Sequence, residues 1–387
     1  MPTREPSAPA SRPYIGGQAV LEGVMMRAPK SFAVVVRRRD GSLQVRERAM
    51  EDGRRGVARW PFVRGVASLV ESLKLGSEAL RFSADQMEKD WLAEEGAAGE
   101  ASEKTAAKPV KRGTGAKGLG VLAAFGLALV SMATADDGAP VQSSGGGRKL
   151  GTWLMLLVAV GMFVALPQGA AAGVNRLFGL GLEVQSPAFQ AITGAFKLTI
   201  VVGYLLLIRR VPDIRRVFQY HGAEHKTIST YEANLALTVE NARAKTTMHP
   251  RCGTTFLVMV ALVSILVFIT IGQALPRIHT GSALLDNVAF FLEKLPFLPF
   301  IAAVTFEIQR LFARYCTTGP LRALLWPGFL VQKITTAEPD DAQLEVALAS
   351  LRVTLFRQEE GQSSEINDDV AFSSYEALLG AERLRAA

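Results

Sequence analysis

Cysteine and histidine are scarce in this 387-residue chain, with two of the first and four of the second. Two cysteines, Cys252 and Cys316, supply no disulfide framework. Each falls beside the expected cytoplasmic end of an apolar run, in a reducing compartment, so both are expected free. An apolar leader is also lacking: residues 1–13 are polar and proline-rich, so no cleaved signal peptide is expected there. No internal repeat is evident.

Charge is missing over long stretches. Residues 254–275 (TTFLVMVALVSILVFITIGQAL) hold no charged side chain, and 188–208 (AFQAITGAFKLTIVVGYLLLI) hold only Lys197. Residues 150–166 (LGTWLMLLVAVGMFVAL) are uncharged, and 288–306 (VAFFLEKLPFLPFIAAVTF) are broken by Glu293, Lys294, Pro296 and Pro299. About 20 helical residues cross ~30 Å of hydrocarbon. With 49% hydrophobic residues and a mean hydropathy of +0.20, this pattern excludes an ordinary soluble multidomain protein and predicts four spans, the last kinked or short. A fifth run, 119–135, is rich in alanine and glycine and is expected to dip into the membrane or lie on it. Lys197 in mid-span is expected to face the bundle or water.

What charge there is falls between these runs. Arg27 to Arg64 contains eleven Lys/Arg against four acidic residues, and 209–253 contains eight against four. Both segments are therefore expected on the cytoplasmic side of a cell membrane, with both termini inside. The basic stretch carries no RNA-binding signature, so attraction to an anionic leaflet explains it and no specific nucleic acid is expected.

Residues 14–87 read as a soluble module. SFAVVVRRR and SLQVRER are strand-like runs joined across Asp40-Gly41, a hairpin signal. An amphipathic helix follows over 60–87, with Val63, Val66, Leu69, Val70, Leu73 and Leu80 at helical spacing. Residues 88–149 form a low-complexity linker around the 119–135 run. Beyond the last span, Pro339 with Asp340 and Asp341 opens a helix whose apolar face is Leu344, Ala347, Leu348, Leu351 and Leu355; the tail from 357 is polar.

Three of the four histidines fall within residues 221–249, and the fourth, His279, stands alone. On a helix, residues three and four apart lie within roughly 60° and 40° of one another, so His221, Glu224 and His225 share a face. HGAEH fits the H-x-x-E-H pattern, in which two histidines hold zinc and the glutamate is the base, although Gly222 weakens a helix by up to ~1 kcal/mol. His249 and Cys252, in HPRCG, resemble a zinc knuckle. His221, His225, His249 and Cys252 together would make a closed structural zinc site. Three of them plus water, with Glu224 as base, would suit hydrolysis. The sequence leaves both open, together with metal-free readings. In these the histidines bond headgroups or loop carbonyls, Cys252 is a buried small residue, and Glu224 pairs with Lys226 or Arg251. Glu307 and Arg310, near the last span's cytoplasmic end, are further candidates. Glu22 and Arg27 would either complete the site or dock onto 209–253.

The segments GGQAVLEGVMMRAP (16–29), PFVRGVASLVESLKLGSEALRFSA (61–84), VFQYHGAEHKTISTYE (217–232), HPRCGTTF (249–256) and PGFLVQKITTAEPDDAQLEVAL (327–348) together resemble the YqhQ-like family of bacterial membrane proteins. The resemblance implies a membrane location and a metal-dependent role resting on His221, Glu224, His225, His249 and Cys252, with no substrate. The expectation is a mainly α, multi-pass membrane protein with about four transmembrane helices. A small N-terminal β-containing cytoplasmic module and a C-terminal amphipathic helix complete it. A divalent metal, zinc first, would serve hydrolysis of a lipid-linked or membrane-tethered substrate. The alternatives are a scaffold binding a protein partner or a second copy of itself, and a small-solute transporter using Lys197.

Overall fold

The computed structural model describes residues 12–50, 60–103, 162, 165–276, 280–316, 319–360 and 369–381. Its β module is a five-stranded antiparallel meander: β1 (Gly16–Val20), β2 (Gly23–Ala28), β3 (Ser31–Arg37), β4 (Leu43–Ala49) and β5 (Val370–Phe372), in that order. The Asp40-Gly41 turn behaves as its residues dictate. Gly41 takes φ +87°, and Asp40 accepts a bond from the Ser42 amide at 2.9 Å. Beyond the expected hairpin, the polar tail contributes β5, with Leu43 opposite Phe372.

Alternation along the strands sends two apolar sets to opposite faces. Val20, Met25, Phe32, Val34 and Val36 meet Leu75, Ala79 and Phe82 of helix α1 (Val63–Glu103). That helix runs well past residue 87, where the linker was expected to begin. Val24, Met26, Ala33, Val35, Leu43 and Val45 meet Leu344, Leu348 and Leu351 of α10 (Asp341–Glu360). The expectation of an amphipathic C-terminal helix is corrected here. α10 is buried nearly all round, Val346, Ala349, Ser350, Val353 and Thr354 included, because it lies between the sheet and α4 (Pro212–Glu232). Small residues permit this: Ser350 and Thr354 bond the strand carbonyls of Ala33 and Met26.

The chain further comprises α2 (Leu166–Leu177), α3 (Pro187–Ile208), α5 (Val239–Arg243), α6 (Gly253–Ile271), α7 (Ala283–Lys294), α8 (Phe297–Tyr315), α9 (Trp326–Thr335) and α11 (Tyr375–Gly380). Among the described residues, Pro187–Ile208 and Gly253–Ala274 are long and apolar enough to cross a membrane. Val288–Lys294 with Phe297–Phe312, bent by 48°, makes a third candidate, in keeping with the prolines at its break. Among the described residues, two or three candidate spans are thus found, at the positions of the second, third and fourth expected ones. Residues 150–166 lie almost wholly outside the described residues, as do 119–135, Arg54-Arg55 and His279. The end of α3 packs on the start of α4 through Ile208, Val211 and Ile214, and the end of α8 meets α1 and the N-cap of α6. Arg216 pairs with Glu22, Gln309 donates to the Cys252 carbonyl, and Arg64 pairs with Glu307.

Candidate metal centre

Helix α4 carries three of the expected residues. Pro212 sits in its first turn and Asp213 beside the N-terminal dipole; it ends where Asn234 turns to φ +57°. Gly222 lies in mid-helix because the chain between α9 and α10 crosses there: a Cβ would stand 2.1 Å from the Ala337 carbonyl oxygen. The crossing is pinned by the Ala337 amide, which donates to the Phe218 carbonyl at 2.9 Å. The propensity lost at Gly222 is the condition for closing the site with α9.

His221 donates its Nδ1–H to the carbonyl of Thr335, the last residue of α9, at 2.9 Å. His225 donates its Nδ1–H to the Thr247 carbonyl at 2.5 Å. Each bond makes Nδ1 the donor to a carbonyl, so that Nε2 is the nitrogen turned toward the centre. His221 Nε2 lies 3.2 Å from Cys252 Sγ, and His225 Nε2 is buried with no hydrogen-bond partner. One ring nitrogen of each histidine and the Cys252 sulfur lie within 4.8 Å of one another. Tetrahedral zinc, with bonds near 2.0 and 2.3 Å, needs separations of about 3.5 Å. Cys252 is the N-cap of α6, and its sulfur also accepts from the Thr254 amide at 3.4 Å.

Glu224, 5% exposed, completes the surroundings. It takes a hydrogen bond from the Ala19 amide of β1, and a Cβ on Gly17 would stand 2.7 Å from its carboxylate. The first strand therefore forms a wall of the site, and Gly17 leaves the space that the glutamate fills. Burial raises the Glu224 carboxyl above its usual range, against the pull of His221 and His225. Burial also works against charging His221, but the Cys252 thiolate outweighs it and lifts the imidazole to about 9. Burial likewise disfavours the Cys252 thiolate, yet the His221 charge and hydrogen bond bring the thiol well below its ordinary value.

His249 stands apart from this set. Its Nε2 is 3.2 Å from Glu232, its Nδ1 accepts the Arg251 amide at 3.4 Å, and its ring centroid is 5.7 Å from that of His225. Arg251 pairs with Glu232 and covers the Tyr14 ring. Lys226 donates to the Arg243 carbonyl at 2.9 Å and pairs with Glu338. Glu307 is taken by Arg64, with Nε–Oε1 at 2.7 Å, and Arg310 is exposed. Glu22 docks the sheet onto α4 through Arg216 and, at 3.2 Å, the Tyr220 hydroxyl. Arg27 pairs with Glu71 at 3.1 Å. The sequence reading missed Gln332. Fully buried, it accepts from the His249 amide at 2.9 Å and donates to the His249 carbonyl and the Thr255 hydroxyl at 2.8 and 2.7 Å. A glutamine inside the apolar run GFLVQKI was the available signal.

A family model described as "Protein of unknown function (DUF1385)" matches residues 60–357. The chain is 30% identical over 345 residues to "Uncharacterized protein YqhQ" of Bacillus subtilis (strain 168), covering 89% of this chain and 92% of that relative. No solved structure matches.

Proposed function

The chain belongs to the YqhQ-like (DUF1385) family of unknown function, and within it we propose a membrane-anchored metalloprotein whose zinc-type site sits where the cytoplasmic body meets the apolar helices. One observation carries this reading. Two imidazoles, each with Nδ1 committed to a backbone carbonyl, present Nε2 toward one cysteine sulfur, and one of those nitrogens is buried without a partner. A satisfied core histidine has no need of that vacancy, because a buried polar atom left unbonded costs about 1–3 kcal/mol. Two nitrogens and a thiolate suit zinc. The apolar helices and the basic 209–253 segment support the cytoplasmic face of a cell membrane.

His221, His225 and Cys252 would hold the ion, which would supply a Lewis acid there. The chain's own contribution to hydrolysis is Glu224, which β1 holds beside the three ligands and whose carboxyl burial raises above its usual range, as suits a group that takes and returns a proton. The substrate class that fits the location is lipid-linked or membrane-tethered. The burial of His225 and Cys252 favours a second reading, a structural staple joining α4, α6 and the 244–252 loop in a scaffold protein. Metal analysis of detergent-purified protein, prepared without chelator, tests the shared premise. About one zinc per chain is expected, lost in His221→Ala, His225→Ala and Cys252→Ser and kept in His249→Ala. Wild-type protein without stoichiometric metal overturns the reading. Glu224→Gln separates its two forms: it keeps the metal in both and removes function only in the catalytic one.

A further inference from the structure

We propose that α9 and the 3₁₀ turn before it (Pro320–Leu325) lie in the interfacial layer of the bilayer, so that one helix joins the lipid surface to the metal centre. The proposal rests on the membrane reading above and adds to it a docking surface. The two sides of α9 differ sharply. Its inner side, Gly328, Val331, Gln332 and Thr335, is buried. Its outer side exposes Trp326 by 56% and Leu330 by 52%, continuing Leu321 and Leu324 at 52% and 47% from the 3₁₀ turn. Trp326, Leu330 and Lys333 recur at i, i+4 and i+7, one stripe of a helix. Large apolar side chains in an unpartnered stripe need a covering surface.

Position and chemistry select lipid as that surface. The inner side packs on the first turn of α6, where Gln332 bonds the Thr255 hydroxyl at 2.7 Å, so α9 lies across the end of an apolar candidate span, at the level where a span meets headgroups. Its composition suits that level: an indole, leucines, and the cations Arg322 and Lys333, whose charged ends stand 5.8 Å and 6.0 Å from the rings of Phe329 and Trp326. Arg209 adds a third cation through its bond to the Lys333 carbonyl at 2.6 Å. Such cations favour an anionic leaflet. The inner side holds the site directly: Thr335 receives the His221 proton donor, and Gln332 clasps both backbone groups of His249.

The test is tryptophan depth measurement in vesicles of phosphatidylcholine and phosphatidylglycerol. One variant keeps Trp326 alone, with Trp60, Trp91 and Trp153 replaced by phenylalanine. A second also carries Trp326→Phe with Leu266→Trp, placing the only indole in mid-α6, where Leu266 is 63% exposed. Trp326 is expected to be quenched by lipids brominated near the headgroup end of the chains, at least twofold more than by lipids brominated near the terminal methyl. The indole at 266 is expected to show the reverse order. Quenching of Trp326 by aqueous iodide and not by brominated lipid, with 266 still lipid-quenched, overturns the proposal and leaves the membrane reading standing. Trp326 shielded from both quenchers also overturns it, pointing to a second copy or another protein as the cover. If 266 too is reached only by iodide, the membrane reading itself falls.

Discussion

His249 and His225 are near neighbours with opposite commitments, and the difference lies in single atoms. His225 has Nδ1 bonded to Thr247 and Nε2 vacant; His249 spends both nitrogens, on Glu232 and on the Arg251 amide. A carboxylate at 3.2 Å favours the imidazolium, but Arg251 already neutralises Glu232, and burial pushes His249 down to about 4. The folded value lies below the unfolded one, near 6.5, so the unfolded chain takes up the proton first. Stability is therefore unaffected above pH 6.5 and falls as pH drops toward 4, by up to about 3 kcal/mol. Thermal unfolding in detergent at pH 7.5, 6, 5 and 4 should show this decline, and His249→Gln should flatten it. An identical decline in that variant would assign the effect to other groups. The sequence placed His221, Glu224 and His225 on one helical face correctly, because a four-residue spacing needs only helix geometry. It grouped His249 with Cys252 because they are close in sequence. The choice between Cys252 and Glu232 as company for His249 is made by the 244–252 loop, whose path depends on Gln332, eighty-three residues away.

Elements were legible in proportion to how much of their surroundings their pattern records. The apolar stripe of α10 predicted one buried face, and that face is buried. The positions outside that stripe, Val346, Ala349, Ser350, Val353 and Thr354, carry no apolar period in sequence yet are buried as well, Ser350 and Thr354 against the sheet. β5, at three residues, is too short to show a period, and its pairing with β4 comes from the fold alone. A helix enclosed on all sides cannot relax around a void. Leu348→Ala is expected to cost about 2–5 kcal/mol, read as a lowered unfolding midpoint in denaturant. A loss under about 0.5 kcal/mol would mean that α10 is a surface helix after all.

At the scale of the whole molecule, a sheet-bearing body and a set of apolar helices are joined by contacts that the sequence could not pair. Helix α1 enters this joint with Phe62 stacked on Phe300, ring centroids 6.5 Å apart, and with the Arg64 guanidinium in a two-bond fork on Glu307. The pair is 29% and 18% exposed, so solvent screens it only in part, and a planar fork on a carboxylate loses much of its geometry when either partner changes. Reading Glu307 as a candidate for the metal site followed from its place near a span's end; the structure commits it to holding α1 against α8. Arg64→Ala and Glu307→Ala should each lower stability by about 1–3 kcal/mol, since each leaves the other charge partly buried and unpaired. The double variant should lose less than the sum of the two. Additive losses would mean that the pair is not coupled and that the apolar stack alone joins the two parts. Metal content adds a further separation of roles. It should survive in all three variants, because the fork touches none of the three ligands, whereas loss of metal with Arg64 would make α1 a support of the metal centre.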